Sequence, residues 1–322
     1  MLFGLDFQGE ICYTPDMTQK YAFLFPGQGS QFAGMGYDLA QNFRVAKDVF
    51  DEVDDALNQK LSELMFNGDI DTLTQTQNAQ PAIMAVSVAT WRVLKTEGVC
   101  EHAVCLAGHS LGEYSALCAS GALTLKQTSL LIKERAKAMQ EAAQINVGGM
   151  LALIGGSVEQ AREIAQKSEC FIANDNCPGQ VVLSGRLANL TQAKIIAEQM
   201  GLKRAIPLPV SGAFHSPLMQ PAQEKLASAL RETTFAAPHI PVYFNVLADV
   251  QNNHTLFADL LLKQLTNAVR WRETLLNIHE NNFIECGPGK VLTGLVKRTK
   301  TEANVQDTNT LESLKALFGA AQ

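Results

Sequence analysis

Short apolar runs alternate with longer amphipathic stretches along most of the chain. Tyr21–Phe25 and residues 104–107 are short and apolar, as buried strands are. Apolar residues recur with helical periodicity over about 32–57, 81–97 and 125–143, and two further strands are expected near 242–245 and 282–286. Strands that alternate with helices in this way predict an α/β core built on a largely parallel sheet.

The segment that follows Gly148 and Gly149 has a different order of predicted strands and helices. Strands are predicted at 150–154, 170–173, 180–184 and 203–208, with helices at 158–167 and 187–200. This β-α-β-β-α-β order is the ferredoxin-like pattern. We therefore expect a small domain at 149–209, inserted into a larger α/β domain formed by 17–148 and 210–322. Met17 is a second plausible start, so residues 1–16 are expected to be an N-terminal extension with no part in the fold.

Ser110 lies at the centre of a G-x-S-x-G pentapeptide, Gly108 to Gly112, between a predicted strand and a predicted helix at 113–119. That context is typical of the nucleophile elbow of α/β-hydrolase-like enzymes. The flanking glycines suit a turn too tight for Cβ atoms, and the helix N-terminus favours negative charge. An oxyanion beside Ser110 would be stabilised there, so the pattern predicts acyl-transfer chemistry.

His215, in a loop bounded by Gly212 and Pro217, is the best candidate for a general base. No acidic residue between Ser110 and His215 is an obvious triad acid. A backbone carbonyl could orient the imidazole instead, which would leave a Ser–His dyad. The backbone N–H groups of Leu111, after the nucleophile, and of Gln28, in a glycine-rich turn, could form the oxyanion hole.

Composition narrows the class of protein further. The chain has 322 residues, is 47% hydrophobic and 18% charged, and carries a net charge of −6, as expected for a two-domain soluble enzyme and against nucleic acid as a partner. No apolar run approaches the length of a membrane helix. Seven cysteines without C-x-x-C and six histidines without an H-x-x-x-H pair argue against disulfides and zinc. A reducing cytoplasm and no metal are the resulting expectations.

Four motifs occur together in one order: FPGQGSQ at 25–31, GHSLGEY at 108–114, GAFHS at 212–216 and GPGKVL at 287–292. Together they resemble the malonyl-CoA:acyl carrier protein transacylases of fatty acid synthesis, and the resemblance covers about residues 17–299. It implies a hydrolase-like core with a ferredoxin-like insertion. It also implies a cytoplasmic, monomeric enzyme without a bound cofactor, whose substrates are malonyl-CoA and the phosphopantetheine arm of acyl carrier protein.

The resemblance implies roles for individual residues. Ser110 would carry the malonyl group, His215 would be its base, and Gln28 and Leu111 would donate to the oxyanion in a ping-pong mechanism. Arg135 would pair with the free carboxylate of malonyl. The remaining expected positions are Met139, Phe214, Asn176 and Asn245 for substrate binding, the main-chain carbonyl of Arg270 for orienting the histidine, and Lys203, Arg204, Lys297 and Arg298 for docking the acidic carrier protein.

Three other functions remain open at this stage. A thioesterase or esterase would use the same elbow, although the missing triad acid and Arg135 speak against it. A stand-alone acyltransferase that serves a polyketide synthase would share every motif. A non-catalytic scaffold that binds carrier protein is expected to lack the serine or the histidine, and both are present here.

Overall fold

The computed structural model describes residues 4–5, 11–12 and 19–318. The strands are β1 (Gly4–Leu5), β2 (Ile11–Cys12), β3 (Tyr21–Phe25), β4 (Ala103–Gly108), β5 (Gly149–Ile154), β6 (Phe171–Cys177), β7 (Gln180–Gly185), β8 (Arg204–Pro207), β9 (Val242–Phe244), β10 (Asp249–Val250), β11 (Asn282–Glu285) and β12 (Asn304–Asp307). The helices are α1 (Tyr37–Asn42), α2 (Arg44–Leu57), α3 (Leu61–Asn67), α4 (Ile70–Thr74), α5 (Thr76–Thr96), α6 (Gly112–Ala119), α7 (Leu125–Ile145), α8 (Val158–Lys167), α9 (Leu187–Gln199), α10 (Gln220–Glu232), α11 (Phe257–Thr266), α12 (Trp271–Asn277), α13 (Val291–Thr299) and α14 (Leu311–Lys315).

The larger sheet has the strand order β10-β9-β4-β3-β11-β12. Its strands run parallel except β10, which pairs antiparallel with β9 at one edge. In β3, Phe23 and Phe25 pack with Trp91 in one core, while Ala22 and Leu24 belong to a second core. Burial on both faces explains why this strand is a continuous apolar run. The predicted α/β core with a largely parallel sheet is confirmed.

The helix predicted at 32–57 is two helices, α1 and α2, separated at Phe43. Phe43 has an extended backbone (φ −131°, ψ 116°), and its ring packs edge-on against Phe318. The chain before α1 turns at Gly36, whose φ of +84° is left-handed and where a Cβ would lie 2.9 Å from the Phe50 ring. The apolar periodicity of this segment continues across the break, which explains why the pattern suggested one helix.

A second, antiparallel sheet has the order β6-β7-β5-β8. Its elements follow each other as strand, helix, strand, strand, helix, strand, as predicted, with α8 and α9 packed against the strands. Residues of this unit, among them Leu151, Ile164, Leu183 and Ala193, form an apolar cluster of their own.

Of the N-terminal segment, the structure describes only the antiparallel pair β1 and β2. The rest of residues 1–16 lies outside the described residues. The expectation that this segment has no part in the fold therefore stays a prediction.

Candidate active site

The turn at Ser110 is as tight as the sequence predicted. Ser110 has a φ of +53°, left-handed for a residue with a side chain, and connects β4 to α6. A Cβ on Gly108 would lie 1.9 Å from the backbone of Gly112, and a Cβ on Gly112 would lie 2.1 Å from the carbonyl oxygen of Phe25. Any larger residue would therefore collide with backbone, and this is why the elbow needs both glycines.

Asn245, just after β9, holds the elbow in this strained shape. Its Oδ1 accepts from the Ser110 backbone N–H at 2.8 Å, and its Nδ2 donates to the Gly108 carbonyl at 2.6 Å. Its own backbone N–H donates to Oε2 of Glu113 at 2.6 Å. Asn245 was expected to bind substrate, but its side chain is used by the backbone of the elbow. The expectation is corrected on that ground.

Glu113, the second residue of α6, is fully buried behind the elbow. Burial raises the pKa of its carboxyl to about 8, against the lowering effect of the hydrogen bond from Asn245. The group is therefore mostly neutral at pH 7. It supports the elbow as a buried carboxylic acid and adds little negative charge to the site.

His215 is within hydrogen-bond distance of Ser110, with 2.8 Å between its Nε2 and the serine Oγ. Its Nδ1 lies 2.8 Å from the main-chain carbonyl oxygen of Gln264. A carbonyl only accepts, so Nδ1 carries the proton and Nε2 is free to accept from the hydroxyl. Burial, reinforced by the positive charge of Arg135, lowers the pKa of His215 to about 3. The imidazole is therefore neutral and ready to take a proton.

The carbonyl that orients the histidine belongs to Gln264, and the expectation that it belongs to Arg270 is wrong. The Arg270 carbonyl accepts from the backbone N–H of Thr274 at 2.9 Å and from its hydroxyl at 3.0 Å, as the first acceptor of α12. Gln264 lies in the last turn of α11, where helix carbonyls have no intrahelical partner. One of these carbonyls is thus available to His215.

Arg135, on α7, is only 1% exposed, and its guanidinium contacts the nucleophile. Its Nη2 lies 3.1 Å from the Ser110 Oγ and 2.8 Å from Oε1 of Gln264, and its Nη1 lies 2.6 Å from Oε1 of Gln80. Its Nε has no hydrogen-bond partner among the described residues. Both acceptors that fix the guanidinium are neutral amides, so its charge is left uncompensated beside Ser110. Such a buried cation is suited to bind an anion.

Gln264 and Gln80 are site residues that the sequence analysis missed. The Gln264 side chain links two parts of the site, since its Oε1 accepts from Arg135 and its Nε2 donates to the Ser110 carbonyl at 2.9 Å. Gln80 accepts from Arg135 and lies 3.5 Å from the sulfur of Met139. Each is a polar residue on the buried face of a helix, and a polar position in an otherwise apolar stripe was the available signal.

Ser110 opens into a cavity of about 90 Å³. The cavity is lined by Gln28, Gln80, His109, Ser110, Leu111, Arg135, Met139, Met150, Asn174, Leu208, Val210, Phe214 and His215. The predicted nucleophile, base, oxyanion donors, arginine, Met139 and Phe214 thus meet at one place. In the described part of the chain, the backbone N–H groups of Gln28 and Leu111 donate to no protein acceptor.

Asn176 does not line this cavity. Its Oδ1 accepts from Nε2 of His109 at 2.9 Å, and the His109 ring packs edge-on against Trp271. Asn174 lines the cavity instead, and its Oδ1 is buried without a hydrogen-bond partner among the described residues. The asparagine of β6 that lines the cavity is therefore Asn174, which the sequence motifs did not single out.

The four basic residues expected to dock the carrier protein are exposed and lie outside the cavity lining. Arg204 is the first residue of β8 and Lys203 directly precedes it, while Lys297 and Arg298 lie in the last turn of α13. Within residues 4–5, 11–12 and 19–318, no group of three or more His, Cys, Asp or Glu could hold a metal ion. In the same part of the chain no helix is long and apolar enough to cross a membrane.

The chain matches a known protein family and curated relatives over most of its length. Residues 22–316 match the acyl transferase domain family. The malonyl CoA-acyl carrier protein transacylase of Bacillus subtilis is 44% identical over 91% of this chain and 95% of the relative, and that of Escherichia coli K12 is 41% identical over 88% and 93%.

Solved structures show the same likeness. The acyl-carrier-protein S-malonyltransferase of Bartonella henselae has a TM-score of 0.89 at 45% identity, covering 92% of this chain and 98% of the other. A malonyl-transacylase in complex with its holo type II PKS acyl-carrier protein has a TM-score of 0.89 at 39% identity, covering 93% and 99%. The chain therefore belongs to the acyl transferase domain family and, within it, to the malonyl CoA-acyl carrier protein transacylases.

Proposed function

We propose that this protein transfers the malonyl group of malonyl-CoA to the phosphopantetheine thiol of acyl carrier protein through a malonyl-serine intermediate. The observation that carries the proposal is the meeting of a Ser110–His215 pair and the uncompensated cation of Arg135 in one cavity. An activated serine alone would suit many acyl donors. The adjacent guanidinium selects a donor with a free carboxylate.

In the first half-reaction, Nε2 of His215 takes the proton of the Ser110 hydroxyl while Oγ attacks the thioester carbonyl. The carbonyl oxygen becomes an oxyanion, and the free backbone N–H groups of Gln28 and Leu111 stabilise it. The carbon–sulfur bond then breaks, and the protonated imidazole returns its proton to the departing thiolate. CoA leaves as the thiol, and the malonyl ester remains on Ser110.

In the second half-reaction, the thiol of the phosphopantetheine arm replaces CoA. The imidazole of His215 takes the thiol proton, and the thiolate attacks the malonyl ester. The tetrahedral intermediate collapses with cleavage of the bond to Ser110, whose oxygen recovers a proton from the imidazolium. The Gln264 carbonyl keeps Nδ1 protonated throughout, so one tautomer serves both halves of the cycle.

Arg135 supplies the selectivity for malonyl. A carboxylate matches the planar donor set of a guanidinium, and the pair is strongest where water is excluded. Gln80 and Gln264 hold the guanidinium without neutralising it. Met139 and Phe214 narrow the same cavity, so a branched extender unit would meet side-chain atoms that a malonyl group avoids.

The proposal also covers the domain boundaries, the oligomeric state, the cofactor requirement and the docking of the carrier protein. The smaller sheet and its helices are described as a ferredoxin-like domain at 149–209, inserted into a hydrolase-like core of 17–148 and 210–322. The enzyme would act as a cytoplasmic monomer, need no cofactor and supply fatty acid elongation. Lys203, Arg204, Lys297 and Arg298 would attract an acidic carrier protein. A carrier protein of polyketide synthesis is the alternative acceptor, and the preferred carrier distinguishes the two.

Initial-rate kinetics test the proposal directly. The purified protein is mixed with malonyl-CoA and holo acyl carrier protein at several concentrations of each, and malonyl-carrier and free malonate are measured by mass spectrometry. Parallel double-reciprocal lines and formation of malonyl-carrier are expected, with none from Ser110→Ala. Malonate as the main product, whether or not the carrier is present, would instead establish a thioesterase.

A further inference from the structure

One edge of the small sheet is joined to the larger domain by main-chain hydrogen bonds. Strand β6 pairs with β7 along one edge, and its other edge meets Val269, just before α12. The Val269 N–H donates to the Ala173 carbonyl at 2.8 Å, and the Asp175 N–H donates to the Val269 carbonyl at 3.0 Å. The strand that carries Asn174 is thus held directly against the core.

An ion pair reinforces this junction. Nε and Nη2 of Arg272, in α12, lie 3.0 and 2.7 Å from the two carboxylate oxygens of Asp175. The Asp175 side chain is only 6% exposed and that of Arg272 23%. Two parallel hydrogen bonds from a guanidinium to a shielded carboxylate fix relative orientation as well as distance.

The residues on either side of Asp175 in β6 both contribute to the cavity wall, one directly and one through His109. Asn174 lines the cavity, and Asn176 holds the ring of His109, which also lines it. A displacement of Asp175 would therefore move two parts of the cavity wall. The Ser110–His215 hydrogen bond, by contrast, involves no atom of β6.

The core side of the junction continues to the elbow. Arg270, which follows Val269, donates its backbone N–H to the Asn245 carbonyl at 3.1 Å. The Asn245 side chain in turn holds the Ser110 backbone N–H. The segment that anchors β6 is therefore hydrogen-bonded to Asn245, the residue that positions the nucleophile.

We propose that Asp175 and Arg272 form a positioning pair that fixes the β6 wall of the acyl cavity relative to Ser110. The inference rests on the proposed function, since acyl transfer is what the wall serves. Without the pair the main-chain bonds of Val269 remain, so the chain still folds, but the wall is no longer held in one place. A misplacement of about 1 Å costs up to roughly 100-fold in rate, and we expect malonyl transfer to fall by about 10-fold to 100-fold.

Asp175→Asn tests this pair because it keeps the shape of the side chain and removes its charge. Arg272→Lys is the second variant, since a lysine keeps the charge without the two-pronged geometry. Glu52→Gln is the matched control, because it breaks the Arg92–Glu52 pair, whose residues line no part of the active-site cavity. For each protein we would measure malonyl transfer, the rate at which a fluorophosphonate labels Ser110, and hydrogen exchange of peptides spanning 171–177 and 267–272.

The proposal expects slower malonyl transfer and faster hydrogen exchange in both peptides for Asp175→Asn, with fluorophosphonate labelling within about twofold of the control. Arg272→Lys, which keeps the charge without the two-pronged geometry, should keep less than half of the wild-type transfer rate. Transfer equal to that of Glu52→Gln would overturn the proposal. It would also be overturned if labelling and transfer fell in the same proportion, since the pair would then only maintain the fold.

A failure of the proposed function would give a different result from a failure of the positioning role. In that case the wild-type protein itself forms no malonyl-carrier, and the hydrogen exchange comparison still decides whether the pair fixes β6. Unchanged exchange in Asp175→Asn would then refute the positioning role, whatever the acyl donor.

Discussion

Replacing Arg135 with methionine separates malonyl selectivity from nucleophile activation. Methionine keeps much of the volume of the buried side chain and removes the charge. The guanidinium lies 3.1 Å from the Ser110 Oγ and is almost fully buried, so an acyl carboxylate bound to it would be shielded from water. Removing one partner from a buried, hydrogen-bonded charge pair costs about 2–5 kcal/mol.

That free energy converts into a change of specificity. At about 1.4 kcal/mol per factor of ten, kcat/KM for malonyl-CoA should fall by about 30-fold or more. Acetyl-CoA has no carboxylate to lose, so its kcat/KM should change little. The acetyl-to-malonyl ratio of kcat/KM is therefore expected to rise by at least about 30-fold.

The stability of the variant should change much less than its specificity. The substitution removes hydrogen bonds from the guanidinium to Gln80 and Gln264, worth about 1.5–3 kcal/mol each. It also removes a buried charge whose desolvation costs several kcal/mol. These effects oppose each other, so the free energy of unfolding should stay within about 2 kcal/mol of the wild-type value.

The assay is quenched-flow acylation with malonyl-CoA and acetyl-CoA, read by intact mass, together with urea unfolding. Lys137→Met, an exposed position on the same helix, is the matched control and should leave the ratio unchanged. A folded Arg135→Met variant that kept its malonyl preference would show that the carboxylate is held by another residue.

Three further predictions concern neighbouring groups. Because burial and Arg135 lower the pKa of His215 to about 3, acylation should show no break near pH 6.5; an apparent pKa between 6 and 7 in the kcat/KM profile would contradict this. Burial raises the pKa of Glu113 to about 8, so between about pH 4.5 and 8 the folded protein binds more protons than the unfolded chain, and this group makes the free energy of unfolding fall as pH rises. Glu113→Gln should reduce that fall when the free energy of unfolding is measured by urea titration at several pH values. An unchanged pH dependence would count against the raised pKa. Asn174 lines the cavity, and we expect its amide to hydrogen-bond an amide of the pantetheine arm. Asn174→Ala should therefore lower kcat/KM for malonyl-CoA by about 2-fold to 10-fold, while acylation by 4-nitrophenyl acetate, which lacks pantetheine, should not change; equal losses with both donors would count against this role.

Features formed by residues that are close together in the sequence could be predicted from local patterns. The elbow was predicted because its strand, its two glycines and its helix are contiguous, and the collisions at Gly108 and Gly112 show why the pattern is so restrictive. The strand and helix order of the small sheet was predicted for the same reason. The break at Phe43 was missed because both helices continue one apolar periodicity.

Contacts between distant segments could not be predicted in this way. Asn245 and Gln264 follow the elbow by more than a hundred residues, and their roles depend on which atoms the fold brings to Ser110 and His215. The orienting carbonyl was assigned to Arg270, six residues too late, because nothing in the sequence tells which carbonyl is left free where α11 ends. The sequence also does not tell which of Asn174 and Asn176 lines the cavity, because β6 is irregular on both sides of Asn174 and Asp175.

Ser110 is proposed to carry the malonyl group between malonyl-CoA and acyl carrier protein. The most direct test isolates the protein after brief exposure to malonyl-CoA, locates the adduct by peptide mass spectrometry, and then adds holo acyl carrier protein. We expect a malonyl ester on Ser110 that disappears at the rate at which malonyl-carrier forms. An adduct on another residue, or one that is released as malonate while the carrier remains unmodified, would contradict it.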